Sequence, residues 1–146
     1  MIRLPSPPLR VPPPRTRAQR VAEDIARVLE RLVNDRDLAL VYWNQYRSRE
    51  MLTESMDTDF FRWSTAEMLE LTPAEIEPVE VFYDALLRFR LWANHTEVMP
   101  ATLERRLDAA VPQLCELGEA AIAALGGRPE PVAPPAVPPG WKTLHR

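Results

Sequence analysis

Cysteine and lysine occur once each, histidine twice and glycine four times among the 146 residues of this chain. A single thiol, Cys115, excludes an intramolecular disulfide and a cysteine-ligated zinc cluster, and it suits a reducing compartment. On a helix it reads as a small buried apolar residue rather than a nucleophile. Four glycines leave little material for a phosphate loop or a dinucleotide fingerprint, and neither pattern occurs. No uncharged apolar run approaches the ~18 residues of a membrane helix. The opening MIRLPSPPLRVPPPR holds no apolar stretch of signal-peptide length. A soluble, cytoplasmic protein with no membrane partner is therefore expected.

What is present is unevenly distributed. Hydrophobic residues make up 46% and charged residues 27%, a globular composition at a length that fits one domain. Of 16 prolines, twelve lie at the two ends and only Pro73, Pro78, Pro100 and Pro112 lie between them. The basic residues are almost all arginine, which with the alanine, proline and leucine content points to a GC-rich, bacterial genome. Residues 1–20 hold five arginines and no acid, whereas residues 50–84 hold ten acids against Arg62 alone. A basic arm and an acidic middle share a net charge of −3.

Between the proline-rich ends the apolar spacing is helical. Val21, Ile25, Val28, Leu29, Leu32 and Val33 predict a first helix over about 16–33, with Thr16 as its cap. A second helix is expected to restart at Asp35 or Asp37, with Leu38, Val41, Tyr42, Gln45 or Tyr46 and Arg49 on its inner side. The stretch MDTDFFRW reads as a connection with aromatic anchors. Ser64 with Glu67, and Thr72 with Glu75, form two capping boxes, the second with Pro73 at the first helical position. A short helix over 64–70 follows. The next long helix is expected at about 78–96, begun by Pro78, with Val79, Phe82, Ala85, Leu86, Phe89, Trp92 and Ala93 as its stripe. Leu103, Leu107, Ala110, Val111, Leu114, Leu117, Ala121, Ile122 and Leu125 predict the last helix, kinked at Pro112 and stopped by Gly126 and Gly127. The expected fold class is all-α: roughly a four-helix bundle over residues 15–127, with extended proline-rich arms at 1–14 and 128–146.

Three patterns could carry chemistry. Glu67, Glu70, Glu77, Glu80 and Asp84 fall at helical spacing and are the candidate ligands for a divalent cation, the basis of an alternative reading as a metal-dependent hydrolase of a phosphorylated small molecule. The adjacent-glutamate pattern of helical nucleotide pyrophosphatases is absent. Neither His95 nor His145 has the glutamate three residues ahead that carboxylate-bridged diiron bundles require. A solvated acidic face is the plainer reading, and no cofactor is expected. His95 stands near a helix end beside Glu97 and reads as a capping or surface histidine. The arginines of the N-terminal arm could neutralise phosphates, so a helical subunit of a nucleic-acid complex is a further alternative, although the rest of the chain is net acidic.

The arms place large apolar residues where no core can form: Ile2, Leu4, Leu9 and Val11 in one, Val132, Val137, Trp141 and Leu144 in the other. Proline lowers the entropy lost when such a segment is ordered. Burying a tryptophan or a leucine contributes roughly 2–3 kcal/mol. Trp141, Leu144, Arg10, Arg15 and Arg17 are accordingly the expected partner contacts. The function expected is that of a small non-catalytic accessory subunit, which assembles with a larger protein complex, or with a second copy, through its arms and an aromatic patch.

Overall fold

A computed structural model describes residues 15–95 and 100–127, and among these every regular element is helical. Three long helices, α1 (Arg17–Tyr46), α4 (Pro73–His95) and α5 (Pro100–Ala124), are joined by two short ones, α2 (Glu50–Ser55) and α3 (Thr65–Met68), and a 3-10 turn (Phe60–Arg62). The arms expected at 1–14 and 128–146 lie outside the described residues, as does Glu97.

The first two expected helices are one. Helix α1 runs 30 residues without a break at Asp35 or Asp37. An uninterrupted helix keeps a single apolar phase, and Ile25, Leu29, Leu32, Ala39 and Trp43 fall on it, all buried. Arg36 occupies the same side and spans the gap by reaching Asp108 of α5. Two aspartates in a helix interior cost about 1 kcal/mol or less each. That is small beside the burial of Trp43. The consequence is a correction of phase: Leu38, Val41, Tyr42 and Tyr46, expected to face inward, are exposed, as is Val33.

Caps decide where the helices begin. Thr16 Oγ1 accepts from the Gln19 backbone N–H at 3.2 Å while Gln19 Oε1 accepts from Thr16 N–H at 2.9 Å. Thr72 and Glu75 make the same reciprocal pair, at 3.3 and 2.9 Å. Ser64 accepts from the Glu67 N–H at 3.2 Å. Because the Thr72 box fixes the start, α4 begins at Pro73 and carries Pro78 inside it, contrary to the expectation that Pro78 opens the helix. Proline there forfeits the bond to the Ala74 carbonyl and costs about 3 kcal/mol. Val79, Phe82, Leu86 and Phe89 are buried on one face, and at roughly 1.5–3 kcal/mol each they outweigh that cost. Helix α5 likewise continues through Pro112. At its end Gly126 and Gly127 adopt φ of 105° and 94°, and the Gly127 N–H donates to the Ile122 carbonyl at 2.9 Å.

Helix α5 packs against both α1 and α4, and α2 closes the side between α1 and α4. Leu29 meets Gly118 and Arg36 meets Asp108, so α1 and α5 run antiparallel. The core contains Phe82, Tyr83, Leu86, Met56, Ile25, Leu32, Leu107 and Ile122. No helix among the described residues is long and apolar enough to cross a membrane.

The α1–α5 crossing depends on Gly118, because a Cβ there would stand 2.7 Å from Leu29 Cδ1 and 3.1 Å from its Cγ. Gly118→Val should destabilise the protein by about 1–3 kcal/mol, the usual range for overpacking a core. Urea denaturation followed by circular dichroism tests this, and an unchanged midpoint would show that the helices do not close on that residue.

Candidate functional site

A charged residue lies on the apolar face of α1. Asp24 falls in phase with Val21, Ile25 and Val28, and its side chain is 1% exposed. A buried carboxylate is tolerated only if donors surround it. Tyr83 Oη donates to Asp24 Oδ2 at 2.6 Å, and the Thr58 hydroxyl donates to the same oxygen. The Asp59 backbone N–H donates to Oδ1 at 3.1 Å, and Arg27 Nη2 approaches Oδ1 at 3.3 Å. One carboxylate thus gathers α1, α4 and the segment between α2 and α3.

The aromatic anchors complete this junction. Phe60 stacks on Tyr83 with ring centroids 3.8 Å apart and 7° between planes, and it meets Phe61 and Trp63 edge-on. Arg31 Nη2 donates to the Asp57 carbonyl at 2.8 Å, and Arg27 bridges Asp24 and Asp59. Burial, then the charge and hydrogen bond of Asp24, push the Tyr83 phenol far above the ordinary tyrosine range. Every polar group of the triad Asp24, Thr58 and Tyr83 is engaged within the protein, which makes the junction a tie. Its signal in the sequence was the acid within the stripe Val21, Ile25 and Val28.

The residues expected to contact a partner divide. Arg10, Trp141 and Leu144 lie outside the described residues. Arg15 is half exposed and pairs with Glu23. Arg17 is turned inward, with its side chain 11% exposed, 3.2 Å from Glu70, 3.7 Å from Glu67 and over the Trp63 ring at 5.7 Å. Arg17 is thus held by its own chain. The cause is local: Glu67 of α3 and Glu70 just after it face the first turn of α1.

The candidate metal ligands are dispersed in the same way. Glu67 and Glu70 pair with Arg17, Asp84 pairs with Arg88 at 3.1 Å, and Glu77 and Glu80 stand exposed on α4. Among the described residues no three acidic, histidine or cysteine side chains come close enough to hold a metal ion. His95 ends α4 on the surface, and Cys115 is half buried, its thiol pushed up by burial and then by Glu119.

An apolar row and a mixed groove remain. On α1, Leu38, Val41, Tyr42 and Tyr46 recur at helical spacing on the side away from the core, and Tyr46 is 68% exposed. Tyr42 and Tyr46 lie against one another at 5.8 Å. At the end of this stripe Arg47 takes the left-handed conformation, φ 52°, and stands over the Trp43 ring at 5.6 Å. Arg49 covers the same ring at 5.1 Å. Between α4 and α5 lies a groove of about 440 Å³ of mixed character, floored by Ala85, Ala109, Ala110, Leu114 and Leu117 and edged by Asp84, Arg88, Arg106 and Gln113. Val81 and Asp84 also line an adjoining depression of about 550 Å³ bounded by Phe61, Glu80 and Leu87. No family model, curated protein or solved structure matches this chain.

The Tyr83 tie has a pH signature. A free tyrosine loses its proton near pH 10, whereas folded Tyr83 keeps it. Below that pH both states are protonated and the full stability is present. Above it only the unfolded state releases the proton, so stability falls as pH rises, by up to about 1.4 kcal/mol per unit. Tyr83→Phe should be about 1–3 kcal/mol less stable at pH 7, because Asp24 loses a donor, and should show a shallower decline between pH 10 and 11.5. Denaturation midpoints of both proteins across that range measure it, and equal slopes would refute the assignment.

Proposed function

We propose that this chain is a small non-catalytic accessory subunit, which assembles with a larger protein complex through a helical docking face and its extended arms. The observation that carries this reading is the row Leu38, Val41, Tyr42 and Tyr46, four large apolar side chains presented to solvent from a rigid helix. Contiguous apolar surface of this kind is characteristic of interfaces, and tyrosine is among the residue types that dominate their energetics. The spacing suits an amphipathic helix of a partner, whose side chains would pack between the ridges of α1. Asp35 and Asp37 at one end and Arg47 at the other supply a polar rim of opposite signs.

The arms are the second hold. Arg10 and Arg15 at one end, and Trp141 and Leu144 at the other, combine charge with apolar anchors in segments whose ordering cost proline has already reduced.

The docking face can be separated from the fold because its side chains do not touch the core. The double variant Leu38→Asp, Tyr46→Asp should melt within a few degrees of wild type and lose at least ten-fold in partner recovered when the tagged chain is purified from its source cells. Deleting residues 128–146 should lower recovery more modestly. Identical sets and amounts of co-purifying protein from wild type and the double variant would contradict the reading.

A further inference from the structure

The exposed row of α1 is symmetric about its middle. Tyr42 lies midway in sequence between Leu38 and Tyr46, and residues at that spacing stand nearly one above another on a helix, with Val41 widening the row beside Tyr42. The two ends carry opposite charges: Asp35 and Asp37 toward its start, Arg47 just past its end. Neither Asp35 nor Arg47 has an ion-pair partner among the described residues; Arg47 stands over the Trp43 ring, and Asp37, with its side chain 90% exposed, pairs only with Arg36.

Such a face is complementary to itself in one orientation. A second copy turned end for end about a two-fold axis through Tyr42 sets Leu38 against Tyr46 twice over, and Tyr42 against its counterpart. The same turn brings Arg47 level with Asp37 and within two residues, about 3 Å along the helix, of Asp35. A parallel arrangement does the opposite. It lays Asp35 on Asp35 and Arg47 on Arg47, and like charges so placed are unfavourable. Helix α1 thus carries both the apolar side chains and the reversed order of charge that its own face requires. Its other side is already in the core through Ile25, Leu32, Ala39 and Trp43, so two copies can meet without rearrangement.

We infer that the occupant of this face is α1 of a second copy, paired antiparallel about Tyr42, with Asp35 and Asp37 of each chain facing Arg47 of the other. The inference rests on the reading of the row as an interface and names the helix it takes, leaving the larger complex to the arms. A pair presents two copies of each arm to one complex, so losing the pair lowers capture through lost avidity. Four large side chains on each copy make a small contact, and a Kd of roughly 1–100 μM is expected.

Sedimentation velocity of the purified full-length chain, 16.7 kDa, tests this without any other protein. The mass should rise from one chain toward two across the micromolar range. Asp35→Arg with Asp37→Arg, and separately Arg47→Asp, should each raise Kd about ten-fold, because each sets like charges opposite one another at two symmetric points. All three substitutions in one chain exchange the signs and should bring Kd back to within about three-fold of wild type, a rescue that damage to the fold could not produce. A single species of one-chain mass at about 300 μM, above that Kd range, a dimer indifferent to the reversals, or a triple variant no better than its parents would each overturn the inference. A monomer that still recovers partners through Leu38 and Tyr46 would end it and leave the accessory-subunit reading standing, whereas a dimer whose loss leaves co-purification unchanged would do the reverse.

Discussion

A carboxylate withdrawn from water costs several kcal/mol unless donors replace its hydration. Asp24 meets that requirement with groups that are far apart in sequence: a tyrosine of α4, a threonine and a backbone amide of the connection after α2, and an arginine one turn along α1. Each of those groups has to be in place for the acid to be tolerated. The polar tie therefore selects one arrangement of the helices where apolar stripes alone would accept several. Tyr83 then presents its ring to Phe60, and Phe60 brings Trp63 into position near Arg17. A single buried acid, together with the aromatic contacts of Phe60, thus orders the irregular segment between Met56 and Ser64.

That ordering sets what the surface offers. With Glu67 and Glu70 turned to Arg17 and the aspartates of the connection turned to Arg27 and Arg62, part of the acidic middle is neutralised inside the chain. What remains accessible includes one apolar row, Leu38, Val41, Tyr42 and Tyr46 on the outer side of α1. That row lies on a helix whose opposite side is locked in the core, so it cannot turn inward to hide.

Much of the helical architecture was legible in the sequence. The stripes of α4 and α5, the reciprocal caps at Thr16 and Thr72, the half-cap at Ser64 and the glycine stop at 126–127 all rest on local spacing or on side chains that bond their own backbone. The continuity of α1 was not, because Asn34, Asp35 and Asp37 suggest a break and nothing local shows that Arg36 will reach Asp108. Reading a fresh start there shifted the inner face to Leu38, Val41 and Tyr42, and so concealed the very row that the core leaves outside. The role of Asp24 was half legible: its position on an apolar stripe was visible, but three of its four donors lie 34 to 59 residues away.

By itself the sequence determined an all-helical chain, because apolar periodicity, caps and breakers are properties of neighbouring residues. It also determined that proline would gather at the ends and that one thiol could make no internal disulfide. The tertiary structure alone decided which face of α1 is spent on the core, whether Arg17 is free or held, and how the candidate ligands Glu67, Glu70, Glu77, Glu80 and Asp84 are dispersed. Those outcomes depend on distances between helices, and such distances are set only when α5 closes on Gly118 and Asp24 finds Tyr83.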